Sequence, residues 1–515
     1  MGFLEERDTT NLPTIPEYYK GKCIFITGGS GFMGKILIEK LLYSCSDLER
    51  IYLLMRSKKG VKPEDRLKDL YSIQCFDRLR KEKPDIFMSK VSVISGNVSE
   101  LGLGLSQEDR ALLVDKINII FHVAASVRFD DPIKYATMLN LRGARELVAL
   151  AKEVKDLSSL IHVSTSYSNT NRELVEEIMY PPHADWRDTI NICETLDEHT
   201  LNVLTPKYLG ELPNTYTFTK QLAEHVMYEE RGRLPIVIMR PSIVISSLAE
   251  PMPGWIDNYN GPVGLLVASG KGIMRSLYTD PDMIADYVPV DVCMTSIIVA
   301  AWARGTTELQ QTDDIPIYNC VSGKLYEVSY KEVTDMGREL ARKIPQNNIL
   351  WHVDGSITTS RTLHYFKVLV LHLLPAVIID AILLALGRKP MLVKVQRRIY
   401  IVNLALEYFI IKQWTFDNKK LLQLRNTIKK EDEKQFKHKI EEMDVWEFFY
   451  KSYVGSKKYL LKEKDEDLPK AKAHAWRMMV LDFIVKCLFY AAIFWWILTS
   501  SCTKCFWESL NVYVH

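Results

Sequence analysis

Over the first two-thirds of the chain, short apolar runs alternate with longer stretches whose apolar residues recur every three or four positions. KCIFIT, Lys22 to Thr27, reads as a strand; the glycines between Gly28 and Gly34 follow, and ILIEKLLYS continues at helical spacing. Further strands are predicted at Ile51 to Met55, Lys90 to Ile94, Ile117 to Val123, Leu160 to Ser164 and Ile236 to Met239. Helices are predicted around Pro63 to Leu79, over Leu139 to Lys155 and over Thr217 to Glu230. Strands without polar alternation need cover on both faces, so the pattern predicts an α/β fold with a doubly wound parallel sheet.

Beyond Pro345 the pattern changes to long helical segments, which predicts a mainly α region. The charged stretch Lys462 to Asp467 and Pro469 read as a solvated linker. The run Met478 to Ser501 reaches about 36 Å as a helix, enough to cross a bilayer. Asp482 and Lys486 lie inside it one turn apart, where they can pair, and Trp495, Trp496 and Trp507 supply interfacial aromatics at the other end. Lys470, Lys472 and Arg477 upstream outnumber Lys504 downstream, which places the large N-terminal part in the cytosol. A second apolar stretch, Val368 to Leu386, is broken by His372, Pro375 and Asp380, and burial inside the α region is expected for it. The expected organisation is an N-terminal tail (1–20), a cofactor-binding domain (21–345), an α-rich C-terminal domain (346–461), a linker (462–477), a membrane helix (478–501) and a tail (502–515).

Composition narrows the classes. With 515 residues, more than one core is required. The 66 basic and 64 acidic residues are interspersed, which excludes a polyanion-binding face, so no nucleic-acid partner is expected. Nine scattered cysteines suit a reducing compartment, most of them as small core residues. Cys502 and Cys505 have CxxC spacing without a second pair or nearby histidines, so no metal is assigned. The first twenty residues carry no apolar signal segment.

The chemistry begins at T-G-G-S-G-F-M-G. Gly28, Gly31 and Gly34 sit between a strand and a helix, where backbone N–H groups and the helix dipole bind a pyrophosphate, which makes the sheet Rossmann-type. At the end of the second strand, Arg56 stands where an NAD enzyme usually has an acidic residue, followed by Ser57 and Lys58; a guanidinium there favours NADPH. Ala124 and Ala125 end the fourth strand with small residues. Tyr216 and Lys220 lie at i and i+4 and share a helix face, and an ammonium beside a phenol is expected to draw the phenol toward neutrality. Tyr216 then serves as a proton donor, and a hydroxyl from Ser164-Thr165-Ser166 orients a carbonyl oxygen. Spacing does not decide among these three; Thr165 is preferred, with Ser164 second.

Taken together, TGGSGFMGKILIEKLL, NIIFHVAASVRFD, IHVSTSYSN, PNTYTFTKQLAE, IMRPSIV, PGWIDNYNGPVG and ADYVPVDV resemble the fatty acyl-CoA reductases, within the extended short-chain dehydrogenase/reductase superfamily. The likeness runs from about Lys22 to Gly323 and continues in the α-rich region through about Tyr459. It implies alcohol-forming reduction of a long-chain acyl-CoA by NADPH through an enzyme-associated aldehyde, at a cytosol-facing membrane of the endoplasmic reticulum or peroxisome. The implied catalytic residues are Tyr216, Lys220, Thr165 and Ser164. The implied cofactor contacts are Thr27, Gly28, Ser30, Gly31, Phe32, Met33, Gly34, Arg56, Asn97, Ala124, Ala125, Tyr216, Lys220 and Pro241. Asn97 stands where the wider superfamily often has Asp against the adenine. Two alternatives share parts of this signature: a membrane-bound sterol or sugar-nucleotide dehydrogenase, and a catalytically silent NADP-binding membrane protein. Self-association is left open.

Overall fold

The computed structural model describes residues 11–57, 60–307, 314–438 and 440–499. Lys58, Cys502, Lys504, Cys505, Trp507 and the last two residues of the expected membrane helix lie outside these.

Seven strands form one sheet: β1 (Cys23–Thr27), β2 (Arg50–Met55), β3 (Val91–Ser95), β4 (Ile117–His122), β5 (Ser159–Val163), β6 (Ile236–Pro241) and β7 (Ile317–Cys320). Their order is β7-β6-β5-β4-β1-β2-β3, every neighbouring pair is parallel, and the chain reverses its direction of travel beside β1. This is the expected doubly wound sheet. Four helices matter for the site: α1 (Phe32–Ser44), α2 (Gly143–Ala151), α3 (Thr215–Tyr228) and α4 (Val290–Gly305). Ile24 and Ile26 of β1 join a cluster with Leu37 and Leu41 of α1 and Ile297 of α4. Phe25, between them, joins a second cluster with Leu147 of α2 and Phe218 and Leu222 of α3. The two faces explain why β1 is apolar at every position from Cys23 to Ile26. Each such side chain, fully buried, contributes about 1.5–3 kcal/mol.

The chain divides into two compact units assembled from separated stretches. The sheet unit holds residues up to 258, 282–330 and 404–460; the other holds 259–281, 331–403 and 461 onward. The consecutive blocks expected from sequence are therefore corrected: Leu421, Leu424, Phe436 and Ile440, from the expected α-rich domain, pack into the core of the sheet unit.

In the second unit, an apolar helix α5 (Arg361–Ala385) contains a wider π-type turn at Val368–Leu373; helix α6 (Leu392–Ile410) begins in this unit and its residues from 404 belong to the sheet unit, and α7 (Leu468–Thr499) follows. Lys462, Lys464, Asp465 and Glu466 of the expected linker are exposed, while Glu463 accepts from Lys271 and from the Asn347 N–H, both at 2.9 Å; residues from Leu468 onward are already α7, with Pro469 in its first turn, where no N–H partner is lost. One expectation fails here. The stretch Val368 to Leu386 is not buried; most of its large apolar side chains are exposed. Its polar interruptions face inward, the reverse of what a water-facing helix shows. Asp482 and Lys486 do pair, at 2.8 Å. Six of the seven described cysteines are buried, as expected; Cys487 is exposed.

Candidate active site

The predicted residues collect at the C-terminal edge of the sheet, on either side of β1, where doubly wound sheets bind their ligands. Gly28 has φ +78°, and a Cβ there would lie 2.6 Å from the Ala124 nitrogen, so the first glycine and the small residue after β4 are one packing requirement. At Gly34 a Cβ would lie 2.3 Å from the Gly28 carbonyl oxygen, which fixes helix against turn. Gly31 is less confined, with only the Gly28 oxygen at 3.1 Å. It is the N-cap of α1 and offers no side-chain cap, so the first N–H groups of the helix stay available for an anion. Ser30 is exposed beside it, Phe32 and Met33 are half-buried, and Phe32 stacks on Trp255. The uncapped helix and the cradle that a Cβ would fill are what a dinucleotide's diphosphate requires.

Around this turn the other predicted contacts differ in freedom. Arg56 is exposed just past β2, and its guanidinium makes no ion pair among the described residues. Thr27 does not face outward: its hydroxyl bonds the His122 ring at 2.7 Å. Asn97 is half-buried and occupied locally, accepting from the Ser99 N–H at 3.3 Å and donating to Glu100 at 3.1 Å. Ala125 is half-buried.

Tyr216 and Lys220 lie in the first two turns of α3, whose N-cap Asn214 accepts from the Thr217 N–H at 2.9 Å. Lys220 is 2% exposed and donates to the Val163 carbonyl at the end of β5, 2.5 Å away. Burial lowers its ammonium to about 8, against the pull of Glu224. Burial pushes the Tyr216 phenol up to about 12, opposed by a hydrogen bond with the Thr165 hydroxyl. The expectation that Lys220 draws the phenol toward neutrality is therefore corrected. Desolvation outweighs the shared helix face, and the ammonium is committed to a backbone carbonyl. A phenol so placed stays protonated at neutral pH and is available as an acid.

The three hydroxyls after β5 separate. Ser164 donates to Glu224, Ser166 donates to the Pro241 carbonyl at 3.0 Å, and Thr165 meets Tyr216 while also reaching the Pro241 carbonyl at 3.4 Å.

Several neighbours escaped sequence reading. Glu224, one turn beyond Lys220 on the same face, forms a two-pronged pair with Arg240 at 2.7 and 2.9 Å, and both side chains are almost wholly enclosed. The pattern Tyr216, Lys220, Glu224 at i, i+4, i+8 was a usable signal for it. Asn140 receives the Ser126 N–H at 2.9 Å and donates to Thr219 at 3.0 Å, bracing the loop after β4 against α3. Phe129 stacks on Tyr216 with ring centres 5.8 Å apart, and Phe409 and Tyr167 extend this aromatic wall. His122 and His162 are paired across β4 and β5 and are held neutral by burial.

The profile of the family described as Male sterility protein matches residues 26–297, and a second profile of that description matches 371–463. Fatty acyl-CoA reductase 1 of Rattus norvegicus is 39% identical over 90% of this chain and 89% of its own length, and that of Homo sapiens is 38% identical over the same shares. The chain belongs to the fatty acyl-CoA reductase family. Fatty acyl-CoA reductase wat of Drosophila melanogaster, at 35% identity over 93% of this chain and 92% of its own, extends the likeness. Among solved structures, the reductase domain of a non-ribosomal peptide synthetase from Mycobacterium tuberculosis superposes with a TM-score of 0.57 at 18% identity, covering 89% of this chain and 97% of that one. The terminal R domain of a myxalamid pathway gives 0.55 at 16%, covering 86% and 92%. At such identities these structures speak for the fold alone. The family and its nicotinamide-binding region make the protein a nicotinamide-dependent oxidoreductase.

Proposed function

We propose that this fatty acyl-CoA reductase family member converts a long-chain acyl-CoA to the primary alcohol and free CoA, with NADPH as reductant, at an intracellular membrane that α7 crosses with the sheet unit in the cytosol. The observation that carries the chemistry is the Tyr216 phenol facing the Thr165 hydroxyl beside buried Lys220, at the same sheet edge as an uncapped, glycine-cradled helix N-terminus. Bound NADPH supplies hydride equivalents. The chain's part is to hold and protonate. Thr165 and the protonated phenol of Tyr216 converge where the acyl carbonyl oxygen gathers negative charge, and Tyr216 gives its proton to that oxygen. Lys220 braces the end of β5 and lends positive potential without accepting the substrate's charge directly. Gly28, Gly31 and Gly34, with Ser30, Phe32 and Met33, fit the diphosphate. Ala124, Ala125 and Pro241 border the path to the nicotinamide, and exposed Arg56 supports NADPH over NADH. Ser164, spent on Glu224, acts as a support rather than as a substrate contact.

The test is direct. The full-length chain purified in detergent, supplied with NADPH and palmitoyl-CoA, is expected to release thiol and form hexadecanol, with two NADPH consumed per alcohol. NADH should support far less. Absence of thiol release with both cofactors, or turnover of a sterol or nucleotide sugar instead, would remove this reading.

A further inference from the structure

The two long apolar helices of the second unit carry three polar interruptions whose side chains turn into the protein. His372 and Asp380 in α5 and Asp482 in α7 are each at most 6% exposed. His372 accepts from the backbone N–H of Arg275 at 2.9 Å, and the Arg275 guanidinium pairs with Asp482 at 3.1 Å, so one residue ties the polar positions of both helices together. Asp380 accepts from the N–H groups of Met391, Leu392 and Val393 at 2.9–3.0 Å. It thereby satisfies the unpaired donors at the start of α6 and folds residues 361–402 into a hairpin. His372, Ala376 and Asp380, at i, i+4 and i+8, mark the inward face. On the outer side Phe366, Leu369, Leu374, Ile378, Ile382 and Leu386 are each half or more exposed, up to 68% at Leu386. A helix in water buries its apolar face and shows its polar one; from Val368 to Leu386 α5 does the reverse.

Three observations identify the outer neighbour as lipid. α5 is 25 residues long and apolar enough to suit a membrane, about 37 Å of helix. α7, tied to it through Arg275, has the same character, with Phe483, Leu488, Phe494 and Trp495 all more than 60% exposed. The hairpin's charge is one-sided: Asp380 is the sole acid between 361 and 402, whereas Arg388, Lys389, Lys394, Arg397 and Arg398 are exposed around the bend and the first turns of α6. Such a bend complements anionic headgroups, and carrying five cations through hydrocarbon is disfavoured. We propose that residues 361–402 form a second membrane element. The hairpin lies in one leaflet without crossing it, its apolar face among acyl chains and its basic bend among phosphate headgroups. This rests on the reading that the chain works at a membrane, but not on α7 being a full span.

The test uses the full-length chain in vesicles of phosphatidylcholine and phosphatidylserine doped with a lipid bearing a photoreactive acyl chain, with adducts mapped by peptide. Adducts are expected in both 363–386 and 483–499. Adducts confined to 483–499 overturn the hairpin and leave the α7 reading intact; adducts in neither segment overturn both. Because the side chains are exposed, L369E/I378E/I382E should fold, and it is expected to lose the 363–386 adducts while keeping those at 483–499. R388Q/K389Q/R397Q/R398Q is expected to lose the dependence of the 363–386 adducts on phosphatidylserine. Cross-linking of 363–386 to a second copy in place of lipid would assign the face to self-association and refute the proposal.

Discussion

In the sheet unit, Glu224 and Arg240 pair in the interior, and among the described residues the carboxylate also accepts from the Ser164 and Ser168 hydroxyls. In the second unit, Arg275 and Asp482 pair on the inner side of exposed apolar helices, and Asp482 also holds Lys486 at 2.8 Å and the Trp351 indole. The pairs are chemically alike. The first lies in the core beside Lys220; the second lies on the inner side of helices whose apolar side chains are exposed. On the proposed reading, the direction in which polar groups turn distinguishes the medium each unit faces, which residue composition does not.

The largest expected effect breaks the first pair. Arg240→Met strands the Glu224 charge in the interior and should cost about 3–5 kcal/mol. Arg275→Met leaves Asp482 two partners and should cost roughly 1–2 kcal/mol. Hydrogen exchange followed separately in each unit measures both, and equal losses would erase the distinction. Next, Thr165→Val should lower kcat by about 10²–10³-fold, the usual cost of one lost donor to a developing oxyanion. A pH profile sharpens the role of Lys220. Its folded value, about 8, lies below the ordinary 10.5, so its ammonium is lost as pH rises through about 8. If that charge supports turnover, kcat falls above pH 8, and Lys220→Arg, slower overall, shows no such fall. By the same shift the buried ammonium costs stability below pH 8, and this cost fades between about 8 and 10.5 as the folded protein sheds the proton first. Arg56→Glu should raise KM for NADPH by roughly tenfold or more and leave KM for NADH nearly unchanged. Ser164→Ala, which removes a hydroxyl already spent on Glu224, should change kcat by less than about tenfold.

These contrasts also mark what the sequence makes legible. Six of the seven sheet strands are readable because each is mainly apolar and five or six residues long. β7 is not, since Ile317–Cys320 is four residues with an Asn inside, and that Asn is buried by bonds to the Val175 and Asp417 carbonyls. Tyr216, Lys220 and the glycine turn follow from local spacing. Phe129 against Phe409 does not, because nearly three hundred residues separate them. The phenol's shift ran opposite to expectation because spacing places two groups on one face but cannot tell that Val163 claims the ammonium. The polar interruptions of Val368 to Leu386 suggested burial of the whole helix, whereas His372 and Asp380 are buried so that the remainder can face outward.

The central claim is that the protonated phenol of Tyr216 delivers the proton to the reduced acyl oxygen. Tyr216→Phe removes that proton and little else, since the ring's stacking on Phe129 is retained. Measured with palmitoyl-CoA, its rate should fall by about 10²–10⁴-fold while NADPH binding, followed by cofactor fluorescence, stays within a fewfold of the parent. Undiminished alcohol formation by Tyr216→Phe would contradict the account.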